Sequence, residues 1–241
     1  MKERRALPEH DAAIDALDSD TRATLAALWR ERATTELGAG WGFSLLVCEL
    51  LALGADRAVL ALATQGAADE IRHADLCVRL ASRYAGHDVE PDPVAPVELP
   101  SHPGTEPRLR MQLHAAGLAI SETLAAAFLE RCLGEAEREP NASPTVLTVL
   151  RDHLSDDVSH ARVGFAHLAS RAVSDVERAA IAELLPRLLG ANLRHWRRRI
   201  VELPVVPAHG YPAHDALLQS VEVAAREVLV PGFAHVSIVA R

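Results

Sequence analysis

Residues 87–106 constrain what this chain can fold into more than any other stretch. Prolines at 91, 93, 96, 100 and 103 make the stretch unable to be helical. On both sides lie long runs whose apolar residues recur at three-and-four spacing, the period of an amphipathic helix. A connection this long inside a compact domain needs a structural task. Two long helices joined tightly, a long crossover, then two more joined tightly would supply one, because the crossover must travel the length of a bundle.

Local signals place the elements. The first helix should start near Ser19 or Asp20 and stop at Gly54; the second should run from Asp56 to Gly86. The third should run from about Pro107 to Glu139, ended by Pro140 and Asn141. The fourth has Ser143 as cap and Pro144 at its first position, and continues to about Arg171. A fifth, Ser174 to about Val201, contains Pro186, which should kink or split it. The tail after Pro204 should hold one more helix, about Ala213 to Leu229, and an irregular end. We therefore expect an all-α single domain over residues 1–241: a four-helix core at about 20–172 and a C-terminal helical extension at 173–241. The composition agrees, with 49% hydrophobic residues but only 4% aromatic ones.

A net charge of −8 argues against a binder that tracks nucleic-acid phosphates. The basic run Arg194, Arg197, Arg198 and Arg199 is short, has acids around it, and reads as a solvated helix face. Cys48, Cys77 and Cys132 stand apart with no paired spacing. They read as small buried hydrophobes in a reducing, cytoplasmic setting. The N-terminus lacks the apolar core of a signal peptide, and the longest apolar run, Phe43 to Leu53, is broken by Glu49, so no membrane span is expected.

Chemistry lies on the faces that should be buried. The first helix's stripe is Leu25, Trp29, Arg32, Glu36, Ala39, Phe43, Leu46 and Leu50, and the second carries Glu70, His73 and Cys77 among Val59, Ala63, Gly66 and Leu80. The third places Glu122 between Leu118 and Ala125, while the fourth carries His153, Asp157, His160 and His167. Glu36 precedes Glu70 by 34 positions and Glu122 precedes Asp157 by 35, so each half has a lone acid followed by acid-x-x-His. An acid and a histidine three apart project side by side from a helix. Four buried carboxylates demand opposing charge, which two divalent cations would supply. The competing interpretation is a core of interhelical ion pairs, for which only Arg32 and Arg72 are near candidates.

This pattern resembles the ferritin-like di-iron carboxylate superfamily over about residues 20–172. The resemblance implies that Glu36 and Glu122 each bind one metal terminally, that Glu70 and Asp157 bridge or chelate, and that His73 and His160 give each metal a nitrogen. The family usually has Glu at the last acid. Here an Asp stands instead, and the choice lies between Asp156 and Asp157, of which Asp157 keeps the spacing. His153, one turn earlier, is similar to the extra histidine of the p-aminobenzoate N-oxygenase group, and His153-x3-Asp157-x2-His160 is also similar to haem-oxygenase-like di-iron oxidases. His153 is thus either a ligand or a supporting histidine; His167 reads as a supporting or core residue, and His114 as peripheral.

The resemblance implies two iron ions, with manganese the other metal such ligands suit, activating O2 to oxidise a small organic substrate such as an amine. Electrons would come from an external donor, and the protein would be a monomer or homodimer. An iron-oxidising storage subunit, an aldehyde-deformylating oxygenase and a dimanganese enzyme are the alternatives. Small residues near the ligands, among them Ala39, Gly40, Gly66, Ala115, Ala119 and Gly164, either allow close helix packing or leave room for substrate.

Overall fold

The computed structural model describes residues 6–239, and these are all-helical, with no strand beyond an isolated bridge between Val206 and Tyr211. A short helix α1 (Ala12–Asp15) precedes the long helices α2 (Ser19–Leu53), α3 (Arg57–Ala85), α4 (Pro107–Ala136), α5 (Pro144–Ala169) and α6 (Asp175–Val201). The tail forms α7 (His214–Ala224), a π turn over Ala225–Leu229, and α8 (Val230–His235).

The helix ends follow local chemistry. Asp18 caps α2 by accepting from the Asp20 and Thr21 amides, and Gly54 ends it with φ 74°. Ser143 caps α5 ahead of Pro144, and Ser174 with Glu177 forms a capping box at α6. Two expectations are modified. Pro186 lies inside α6, so of the kink or split expected there the split does not occur, and the tail stays helical to His235 because a π turn carries the chain on where an end was expected.

α2 packs against α3 and α4 against α5, while α3 meets α5, α2 meets α4, and α6 and α7 cover α4. Residues 87–106 form no regular structure and run over α2 to α4. Arg30 donates to Glu90 O, Asp92 N donates to Thr34 Oγ1, and His114 Nε2 donates to Pro100 O at 2.7 Å. His114 is therefore buried beneath this segment, with its Nδ1 on Glu49, rather than at an open periphery.

The apolar interior divides in two. A large cluster gathers Trp29, Leu80, Leu124, Val149 and the C-terminal helices. A smaller one gathers Phe43, Leu46, Leu50, Val59, Ala63, Ala115 and Val163. Along α2, α3 and α5 the proposed ligands fall between residues of the two clusters, while on α4 Glu122 is flanked by Ile120 and Leu124 of the larger one, so the ionisable groups form one polar layer with hydrocarbon above and below. Small residues make the close approach: a Cβ on Gly66 would come within 2.7 Å of Phe43, and one on Gly164 within 2.4 Å of Ala115 O. At these two positions packing, not substrate space, requires glycine.

One expectation about the surface is also revised. Cys48 is exposed, and α2 contains an 18-residue window of mean hydropathy 1.4 with 28% of it buried. The segment is long and apolar enough to cross a membrane by length and composition alone, since Glu36 and Glu49 do not offset its leucines. Trp41 and Leu51 of α2 and Leu62 and Ile71 of α3 are exposed.

Asp11 ties α1 to the start of α5. It is 1% exposed and accepts from Ser143 Oγ at 2.6 Å, Thr145 N at 3.1 Å and its own helix's Ala13 N. Burial raises its pKa, but the hydrogen bonds from Ser143 and Thr145 outweigh burial and set it below the ordinary 3.8. A depressed carboxylate contributes stability that is present above its unfolded value and lost as pH falls through the folded one. Asp11→Ala should therefore cost about 2 kcal/mol at neutral pH, measured by urea unfolding. The difference from the wild type should shrink below pH 3.8.

Candidate metal centre

The helices bring all seven candidate residues into the polar layer: Glu36 from α2, Glu70 and His73 from α3, Glu122 from α4, and His153, Asp157 and His160 from α5. Glu70, His73, His153, Asp157 and His160 are buried, and the Glu36 and Glu122 side chains are each 13% exposed. Six of the seven fall in two groups of donor atoms within 4.8 Å that share Glu70, Glu36–Glu70–His73 and Glu70–Glu122–Asp157–His160, while His153 groups with Glu36 and Cys77, and His73 also groups with Asp152 and Asp156. Asp157, for which a bridging role was expected, belongs to the Glu70–Glu122–Asp157–His160 group alone.

The two acid-x-x-His units face each other with matching orientation. His73 Nδ1 lies 3.1 Å from Glu70 Oε2, and its Nε2 lies 3.4 Å from Asp156 of α5. His160 Nδ1 lies 3.1 Å from Glu70 Oε1, and its Nε2 lies 3.7 Å from Asp69 of α3. Each imidazole therefore turns one nitrogen to the acid cluster and the other to an aspartate on the opposite helix, which fixes tautomer and orientation in metal sites. One residue of helical rotation separates the roles: Asp157 joins Glu70, Glu122 and His160, while Asp156 pairs with Arg72.

Arg72 bridges Asp156 and Asp152 and lies 3.6 Å from Asp69. Sequence reasoning did not place Asp69 or Asp152 in the site, and weighed Asp156 only as an alternative to Asp157. The signal was the acid doublet before each histidine, Asp69-Glu70 and Asp156-Asp157. Ion pairing thus accounts for part of the layer, with Arg32 also holding Glu36 at 3.0 Å. It does not account for the rest. Among the described residues no Lys or Arg pairs with Glu70, Glu122 or Asp157, and neither buried nitrogen of His160 makes a hydrogen bond. Buried polar atoms left unpaired among three carboxylates fit a missing cation, and oxygen with imidazole nitrogen is a donor set that binds one. The cluster can hold a metal ion.

Electrostatics without the cation show the same strain. Burial pushes Glu36 up to about 7, and burial together with Glu122 and Glu70 raises Asp157 well above the usual carboxylate range. Burial pulls His73 down to about 3. For His160 burial acts downward too, but Glu122 and Glu70 outweigh it and hold the imidazole at about 11. A proton on His160 stands where a cation would.

His153 is 1% exposed; its Nδ1 donates to Val149 O at 2.9 Å, leaving the Nε2 lone pair aimed inward. That nitrogen lies 3.5 Å from Cys77 Sγ and 3.7 Å from Glu36. Its ring stacks on His73 with centroids 4.1 Å apart. His167 is buried away from the acids, with Nε2 on Gln112 at 2.6 Å.

A cleft of about 850 Å³ lies between α4, α5 and α7, and a second of about 660 Å³ lies beside α1 and Pro207–His209; none of the seven candidate residues lines either. No family model, curated protein or solved structure matches the chain, so the reading of function rests on these residues themselves.

Proposed function

We propose that this protein is a ferritin-like four-helix bundle, crossed over by residues 87–106, that binds two iron ions and uses O2 to oxidise a small organic substrate. The observation that carries the reading is the pair of donor groups sharing Glu70, whose carboxylates Glu70, Glu122 and Asp157 meet no Lys or Arg among the described residues. Glu36, Glu70 and His73, with His153 beside Glu36, would hold one ion; Glu70, Glu122, Asp157 and His160 would hold the other. Iron held by carboxylate and imidazole supplies reduction of O2 and transfer of oxygen, with electrons from an external donor.

The chain's own contributions follow from its geometry. Arg72, paired with Asp156, meets the outer nitrogen of His73 at 3.3 Å, and Asp69 faces that of His160 from 3.7 Å. Phe43 closes the layer edge-on to His160 at 5.1 Å, limiting water. The cleft between α4, α5 and α7, lined by Ala126, Leu154, Ala161 and Phe165 together with charged residues such as Arg131 and Arg162, has room for a small substrate. Oxygen would pass to an amine nitrogen or a carbon.

The competing reading is an iron-storage subunit, favoured by the exposed Trp41, Leu51, Leu62 and Ile71, which suit an assembly contact. The test loads the protein with ferrous iron without oxygen, admits O2, and follows uptake and products with a panel of aryl amines. Oxygen uptake coupled to an oxidised amine, by a monomer or dimer, is expected. Iron oxidation without organic product, in a particle of many subunits, would favour storage.

A further inference from the structure

Cys77 reads from sequence as a small core hydrophobe, but its place in the polar layer is not that of an inert core residue. It is fully buried, and its sulfur, His153 Nε2 and a Glu36 oxygen form a third donor group within 4.8 Å. Neither Glu70 nor His73 belongs to that group. Because His153 Nδ1 is committed to Val149 O, its Nε2 carries the lone pair, and the neighbour it meets is the Cys77 thiol at 3.5 Å. A thiol donating to that nitrogen satisfies the metal-free state. The same three atoms are also spaced for a cation. Zinc-type bonds of about 2.3 Å to sulfur and about 2.0–2.1 Å to nitrogen, at a tetrahedral angle, place the two ligand atoms about 3.6 Å apart. The observed separation is 3.5 Å.

We propose that Cys77, as thiolate, joins Glu36 and His153 in ligating the cation on the Glu36 side, so that the centre pairs a sulfur-containing position with an oxygen-and-imidazole position at Glu122, Asp157 and His160. The inference rests on the metal reading above and deepens it. Burial and then Glu36 push the free Cys77 thiol well above its ordinary value, with Arg32 acting against them, so it is the bound cation that must stabilise the thiolate. Thiolate is a soft donor, so the Glu36 side should prefer zinc, cobalt or ferrous ions over manganese or magnesium, whereas the Glu122 side should accept manganese. The metal displaces the thiol proton to solvent, and no oxidant or reductant is needed.

The test titrates cobalt(II) into metal-free protein and reads absorbance in the near ultraviolet, where thiolate-to-cobalt charge transfer appears, with metal counted in parallel. About two cobalt ions per chain and a charge-transfer band are expected. The band should persist in Cys48→Ser and Cys132→Ser and vanish in Cys77→Ser, whose fold is checked by circular dichroism. Manganese should fill about one position tightly. Two cobalt ions bound by the wild type without a thiolate band would overturn the role of Cys77 while leaving the metal centre intact. This arm uses only the unaltered protein, so it does not depend on the variant folding. No bound cobalt at all would overturn both readings.

Discussion

Glu70→Ala should lower bound metal from about two ions per chain to one or none, and weaken what remains by on the order of 100-fold or more, since even supporting residues at metal sites carry effects of that size. Glu70 is the carboxylate common to both donor groups, and both histidines set their Nδ1 atoms 3.1 Å from it. The metal-free protein should lose less stability than the loaded one, because one carboxylate leaves a crowded buried layer while His160 keeps Glu122. A larger loss in the loaded form separates a metal centre from a scaffold of ion pairs, which would lose equally in both.

The pH dependence of the metal-free wild type follows from the same crowding. Glu36 is raised from 4.5 to about 7, so its burial costs stability as pH climbs between those values. His160 is raised from 6.5 to about 11, so the stability its proton contributes is complete below 6.5 and lost as pH rises towards 11. His73, lowered to about 3, acts in the opposite sense, but only below 6.5. Above pH 6.5 the remaining shifts agree in sign. The melting temperature of chelator-treated protein should fall from there upward, while loaded protein stays nearly level. Loading at neutral pH should also release protons, from His160 and Asp157 among others, seen as a dependence of calorimetric heat on buffer ionisation.

The second large effect concerns the seam between α4 and α5. Gly164→Ala should cost about 3 kcal/mol or more, although it adds a single methyl group. The added carbon would lie 2.4 Å from Ala115 O, 2.8 Å from Ala119 Cβ and 2.9 Å from Ala119 N. Two of those atoms are backbone, so relief requires the helices to part. Gly117→Ala, in the same α4, meets nothing within 4 Å and should stabilise by roughly 0.5–1 kcal/mol through helix propensity. Opposite signs for one chemical change would show that contact, not propensity, dominates at Gly164. Parting the helices also moves Asp157 and His160 away from Glu122, so metal affinity should fall with stability in Gly164→Ala and not in Gly117→Ala.

How far the sequence foretold these features depends on the range of the forces involved. Helix ends were legible to within a residue or two because caps are local: Gly54, Ser143-Pro144 and Ser174 act where expected, while α2 is capped by Asp18, just before the expected Ser19 or Asp20. The site layer was legible because ionisable residues interrupted apolar stripes of regular period. What escaped depended on rotation and tertiary neighbours. Asp156 and Asp157 differ by one helical step, and only packing against α3 decides which meets Arg72. Cys48 and Cys77 both lie in apolar runs, yet one is exposed on α2 and the other lies beside His153. Pro186 was expected to interrupt α6, but as a single residue it cost too little to break a helix otherwise held by its packing.

The most direct measurement is metal analysis of protein reconstituted with ferrous iron under anaerobic conditions and freed of excess, with melting temperature read before and after chelation. About two irons per chain, and a melting temperature that drops on chelation, are expected. Iron-free protein whose melting temperature is unchanged by chelator would contradict the central claim and leave the polar layer as a buried ion-pair network.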